Sequence, residues 1–347
     1  MTLIQDVTTR EILNERGEPT LEADVSLACG ALGRASVPAN VRDELRDRDD
    51  DTRYFGRGVQ RALEQVRDRI CLVVRGLDAL DQVAVDHELG TLERLGGNAR
   101  LVVSMATAQA AALALEIPLH RHLGGLCLHP FPRPLVSVAH LLPHAPDAPL
   151  ADLMLAPQRH DWPFRDALRA CAEVSHALDS LPAPPASVQD ALDELRHAIE
   201  TCGYHPDADL APAAELSPNA SPEAILPLLD ASPLPLLLAD LATLDHDFRA
   251  ALDAQPGLTL ANTGRPSPHD PARTLALRHF TNVTDCLRAA ADAHRNGTAI
   301  ILDADAPATD DSFEADLAIA AGATLIRTGP LASLRAATRC NHLLRLA

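Results

Sequence analysis

From about Pro130 to the C-terminus, short apolar runs alternate with amphipathic stretches, and this rhythm constrains the fold more than any other feature of the chain. The runs Leu135 to Leu141, Leu150 to Leu155, Leu234 to Ala239, Leu258 to Ala261, Thr274 to Leu277, Ala299 to Leu302 and Thr324 to Arg327 each read as a buried strand. Between the second and third lies a helix, Phe164 to Ser180. Repeats of strand, helix, strand imply a parallel sheet, and a series of them is the pattern of an α/β barrel. The Pro-rich segment from Leu181 to Pro185 and the segment Pro206 to Pro222 break the rhythm and are expected to be loops.

The first 130 residues follow other rules. Residues 1 to about 35 alternate apolar and polar around Gly17 and Gly30, which predicts a small antiparallel meander. Three helices are expected after it. Gly58 to Arg69 puts Val59, Ala62, Leu63 and Val66 on one face, Val83 to Leu95 does likewise, and Val102 to Leu115 is apolar nearly all round and therefore buried. A chain of 347 residues exceeds the usual single-domain size, so two domains are expected, 1–130 and 131–347.

A formal charge of −18 argues against nucleic acid or an anionic membrane as a partner, because both require basic surface. No run of about 18 apolar residues and no signal-peptide pattern is present, so a cytoplasmic location is expected. The 7 cysteines are scattered, odd in number and without CxxC spacing, which reads as reduced thiols. There is no lysine at all: arginine and histidine carry the basic charge. Arginine substitutes well on a surface, but it stays protonated and makes a poor general base.

Ordered motifs run along both ends. Near the start stand Arg16-Gly17-Glu18-Pro19-Thr20-Leu21-Glu22-Ala23-Asp24-Val25 and Gly33-Arg34-Ala35-Ser36-Val37-Pro38, followed by Leu95-Gly96-Gly97-Asn98-Ala99 and Ile117-Pro118-Leu119-His120-Arg121-His122-Leu123-Gly124-Gly125. Near the end stand Asp311-Ser312-Phe313-Glu314-Ala315-Asp316-Leu317-Ala318, Ile326-Arg327-Thr328-Gly329 and Asn341-His342-Leu343-Leu344-Arg345. In this order they resemble the enolase family. The resemblance implies an enolase-like α/β fold: a small N-terminal α+β domain packed on a C-terminal α/β (TIM-type) barrel, here with shortened loops. Two active-site loops of the family find no match, one after Val37-Pro38 and one between His176-Ala177-Leu178 and Ala198-Ile199-Glu200.

Enolases remove a proton beside a carboxylate with a lysine base and two magnesium ions, then expel hydroxide with help from a glutamic acid. By the resemblance, the lysine falls on Ala276. Strand alternation would place Arg278 on the same face as Ala276, as a substrate-binding cation unable to accept a proton, and His279 on the opposite one. Of three magnesium carboxylates, one falls on Glu215, one on Ala239 and one on Thr263; Asp240 is expected to turn away from the metal. Glu215 alone is a weak metal candidate, so no cofactor is expected, with magnesium possible only if that residual site functions. By the resemblance, the phosphate-binding loop is replaced by Asp303-Ala304-Asp305-Ala306-Pro307, whose carboxylates would repel a phosphate and would instead favour a cationic ligand or face solvent.

Three positions survive in kind. His144 and Asp152 are the catalytic candidates, and Arg327 stands where the family has a substrate-binding lysine. Plainer roles are open for each: a loop hydrogen bond for His144, a polar group at the barrel mouth for Asp152, and neutralisation of Asp303 and Asp305 by Arg327. His120-Arg121-His122 reads as packing, not a metal pair, and Arg159-His160-Asp161-Trp162 as surface. Two functions follow as expectations. One is a non-catalytic enolase relative acting as a homodimer, or as a heterodimer with an enolase-type chain. The other is a diverged lyase or isomerase binding a small carboxylate through His144, Asp152, Glu215 and Arg327. An ordinary phosphopyruvate hydratase is the reading that similarity alone would suggest.

Overall fold

The computed structural model describes residues 1–37, 53–126, 129–142, 148–181, 185–264, 270–304, 306 and 309–347. They form two compact units. The first comprises Met1–Pro130, Ala276–Asp292 and Ala304–Gly322; the second comprises Phe131–Leu275, Ala293–Asp303 and Ala323–Ala347. Among the described residues no helix is long and apolar enough to cross a membrane.

In the first unit, β1 (Ile4–Leu13), β2 (Pro19–Leu27) and β3 (Leu32–Ser36) form the expected antiparallel meander in the order β1-β2-β3. A buried helix, Gly97–Ala114, lies on this sheet. Its alanines permit a close approach, and Gly33 completes it: a Cβ there would overlap the backbone of Ala106 and Ala110. The helix expected over Gly58 to Arg69 is instead three consecutive pieces, Gln60–Gln65, a π-helical turn Val66–Ile70, and Cys71–Val74. Helix Gln82–Thr91 is capped by Asp81, whose carboxylate accepts from the Ala84 N–H at 3.0 Å. From that helix the buried Asp86 accepts from both the backbone N–H and the hydroxyl of Thr284, at 2.9 and 2.5 Å. Burial nonetheless holds its carboxyl above the usual aspartate range.

The second unit is a closed eight-stranded barrel. Its strands are β4 (Arg133–Ser137), β5 (Leu150–Pro157), β6 (Leu210–Leu216), β7 (Leu236–Ala239), β8 (Thr259–Asn262), β9 (Ala272–Leu275), β10 (Ala299–Asp303) and β11 (Leu325–Gly329). They close in the order β10-β11-β4-β5-β6-β7-β8-β9. The sheet is not wholly parallel as expected: β5 runs antiparallel to both β4 and β6. Two helices, Phe164–Asp179 and Val188–Thr201, separate β5 from β6. A pair of helices returns the chain to the end it left, so β6 enters opposite to β5.

The segment Pro206 to Pro222, expected to be a loop, contains β6. Its Ala-rich sequence with an internal Pro212 is a weak strand former. What holds it is burial on both faces, from Leu210 to Ala214.

Side chains alternate between two apolar shells, as a two-residue period requires. Leu135, Met154, Ala213, Leu236, Ala261 and Ile301 fill the barrel interior. Val136, Leu153, Ala214, Leu237, Ala239 and Leu260 form an outer core with helix residues such as Ala170, Val174, Leu195 and Phe248.

Candidate functional site

The polar end of the barrel grows out of this alternation. Each inward apolar residue predicts that the residue two positions away also points inward. From Leu135, Met154, Ala213, Ile301 and Leu325 this selects Ser137, Asp152, Glu215, Asp303 and Arg327. Because β5 alone is antiparallel to its neighbours, its beginning lies beside the ends of the other strands, which is why Asp152 faces Glu215 across the β5–β6 pair. Asp303 and Arg327 are cross-strand partners on β10 and β11.

Arg327 holds the group together. One terminal guanidinium nitrogen donates to Asp152 Oδ2 at 2.7 Å and lies 2.8 Å from Glu215 Oε2. The other Asp152 oxygen accepts from the Ser137 hydroxyl at 2.7 Å. The side chains of Arg327, Asp152 and Glu215 are 9%, 5% and 24% exposed. Burial raises the Glu215 carboxyl above its ordinary value, Arg327 pulls it back down, and repulsion from Asp303 and Asp152 pushes it up again. Chemically this is a nearly closed ion cluster, with its guanidinium already committed to two carboxylates.

The remaining candidates separate from it. His144 and Asp305 lie outside the described residues. Arg278 does not sit on a strand: β9 ends at Leu275, and Leu277–His279 forms a 3-10 turn in the first unit, so the period-two argument linking Arg278 to Ala276 has no strand to run along. The expectation for Asp240 is also corrected. Ala239 packs in the outer core and not toward the barrel interior, and β7 ends there, so alternation counted from Ala239 does not fix the direction of Asp240. Its carboxylate folds back on its own loop, accepting from the Ala242 N–H at 3.1 Å, and occupies the space a side chain at Gly264 would need.

His120 makes a protein contact, with its backbone N–H and ring Nδ1 both 3.1 Å from Asp316 Oδ1. Arg159 is an exposed partner of Asp161 at 2.7 Å and stacks over Trp162. Two groups escape the sequence reasoning. Ser137 carries the same parity signal as its neighbours but no charge to attract notice. Asn262 donates to Asp270 at 2.7 Å and accepts from the Gly264 N–H at 2.9 Å. Its signal is a lone amide closing an apolar strand.

Residues 4–123 match the family model for the N-terminal domain of enolase. The chain is 34% identical over 406 residues to the enolase of Mycobacterium leprae (strain TN), an alignment that takes in 100% of this chain and 94% of that protein. This chain belongs to the enolase family. The eight-stranded barrel and the N-terminal meander are therefore the enolase-like, TIM-type α/β fold expected from the motifs.

Enolase chemistry implies magnesium, and the residues present can be tested against it. Glu215 is engaged by Arg327, while Ala239 and Thr263 offer no carboxylate at the other two aligned positions. Among the described residues no three His, Cys, Asp or Glu side chains converge as a metal site. A magnesium ion needs oxygen ligands in near-octahedral geometry, and a guanidinium seated between the donors is incompatible with it. The cluster does not fit the metal.

Proposed function

We propose that this chain is a non-catalytic member of the enolase family that acts by association, as a homodimer or with another enolase-type chain. The observation that carries this reading is the double engagement of Arg327 by Asp152 and Glu215. A cation committed in this way is not available to a substrate carboxylate without breaking a buried ion cluster. The aligned residues support it: Ala276 has no proton to take or give at the lysine position, and Asp303 stands where a phosphate would have to bind. The surface proposed for association is the N-terminal sheet, where Arg10 bridges Glu22 and Asp24 and Arg34 reaches Asp24 at 2.7 Å. Such a preformed charge pattern suits a specific polar contact.

The test is magnesium-dependent dehydration of 2-phosphoglycerate on protein freed of host enolase, together with the mass in solution by light scattering. No turnover and a dimeric mass are expected. Turnover in the common enzyme range of about 1 to 1000 per second would overturn the reading.

One observation favours a second reading, a lyase or isomerase of a small carboxylic acid. Glu215 is a partly buried carboxyl that burial raises above its ordinary value, the direction in which enzymes tune a general acid or base. Depletion of a carboxylic acid from a substrate panel by wild type, and not by Glu215→Gln, would establish it.

A further inference from the structure

We propose that Arg327 is the resident cation of the barrel mouth: it stands between Asp152 and Glu215 in place of a metal ion, and its removal uncovers a divalent-cation site. The inference concerns the same cluster as the function above but reads charge and binding, not turnover.

Asp152 and Glu215 are directly opposed on antiparallel strands. Like charges in that position repel, so a cation between them stabilises the ionised pair. One nitrogen of Arg327 touches an oxygen of each, at 2.7 and 2.8 Å. One donor nitrogen of a delocalised cation lying against two carboxylate oxygens neutralises the pair that a bridging metal ion would otherwise neutralise. The guanidinium differs in two respects. It is covalently attached, so it cannot dissociate, and it remains protonated at any accessible pH. Its bulk excludes an ion from the same place. Asp303, the cross-strand neighbour of Arg327, adds negative potential at this end of the barrel and is felt at Glu215. Without the arginine, two carboxylate oxygens within reach of one atom remain in a field of the right sign. Magnesium and manganese accept one or two carboxylates and complete their shells with water.

The experiment uses the full chain, with Mn²⁺ as an EPR-visible probe and Mg²⁺-dependent melting as a second readout. Wild type is expected to show no saturable Mn²⁺ binding at this site and no melting shift in millimolar Mg²⁺. Arg327→Met should melt lower, gain the saturable Mn²⁺ binding that wild type lacks, and recover part of its melting temperature in Mg²⁺. Adding Glu215→Gln to that variant should abolish the metal response. Arg327→Lys, which restores a cation, should respond to neither ion.

If Arg327→Met does not fold, the triple variant Asp152→Asn, Glu215→Gln, Arg327→Met must fold, because removing both carboxylates removes the need for a cation; its failure would overturn the proposal. So would Mn²⁺ binding by wild type that Glu215→Gln abolishes, or an Arg327→Met protein that melts like wild type and ignores metal. Wild-type metal binding without 2-phosphoglycerate turnover would reject this inference and leave the non-catalytic reading standing. Turnover with a metal-insensitive mouth would do the reverse.

Discussion

Two arginine–carboxylate clusters, one in each unit, are built from the same chemistry and differ in the number and exposure of their arginines. At the barrel mouth Arg327 is 9% exposed and joins Asp152 and Glu215 on the inward faces of three strands. On the N-terminal sheet Arg10 and Arg34 are 40% and 56% exposed, and they reach from β1 and β3 to Glu22 and Asp24 on β2, whose own side chains are 14% and 9% exposed. The number and exposure of the cations decide the difference. Arg327 is a buried guanidinium that serves two carboxylates, and its loss leaves desolvated charge, whereas Asp24 keeps Arg34 when Arg10 is lost. The first cluster therefore hangs on one residue, and the second is shared between two half-exposed arginines.

The largest expected effect comes from breaking the buried cluster. Arg327→Met should destabilise the protein by about 3–5 kcal/mol, measured by chemical denaturation at pH 7, because Asp152 stays buried beside Glu215 without a cation. The corresponding change on the sheet, Arg10→Ala, should cost no more than about 1 kcal/mol, and less in high salt. Equal effects from the two substitutions would erase the distinction between the clusters.

The two regions should also respond to pH with opposite signs. Asp24 is held below its ordinary value of 3.8 by hydrogen bonds from Arg34 and Arg10, so its contribution is present above that pH and is lost as pH falls through its folded value. Glu215 is held above its ordinary value of 4.5, mainly by burial, so the folded state binds the proton more tightly than the unfolded one. Stability then decreases as pH rises from 4.5 through the folded value, and Glu215→Gln should flatten that part of the profile. A profile unchanged by this substitution would show that the carboxyl titrates normally.

The smallest effect sharpens the contrast between exposed and buried groups elsewhere. Cys29 is exposed, whereas Cys171, Cys286 and Cys340 are buried. Burial pushes the Cys171 thiol up, and that of Cys340 to about 11. Iodoacetamide at neutral pH should label Cys29 in the folded protein and these three only after unfolding, as read by peptide mass spectrometry. Labelling of Cys340 in the native state would require the helix Leu334–Leu346 to open.

Much of the fold is legible in the amino-acid sequence. The meander around Gly17 and Gly30, the buried Ala-rich helix and seven of the eight barrel strands follow from periodicity and turn residues. The eighth, β6, does not, because alanine and proline are poor strand formers and nothing local marks Leu210–Leu216 as buried on both sides. The candidate site shows the other limit. Alternation holds only while a strand lasts, so it fails for Arg278, which lies in a turn past Leu275. It fails for Asp240 because Ala239, from which the parity is counted, faces the outer core.

Residue identity and order suffice for the family, the barrel and the absence of lysine from the chain. The role of Arg327 belongs to the folded chain alone. Local sequence offers Asp303 and Asp305 as its counter-ions, or a ligand carboxylate as its partner. The fold adds Asp152 and Glu215, 175 and 112 residues away by position, because the single antiparallel strand brings the start of β5 to the end of β6. Pairing across a closed barrel depends on strand direction and register, and neither is written in the local sequence around an arginine.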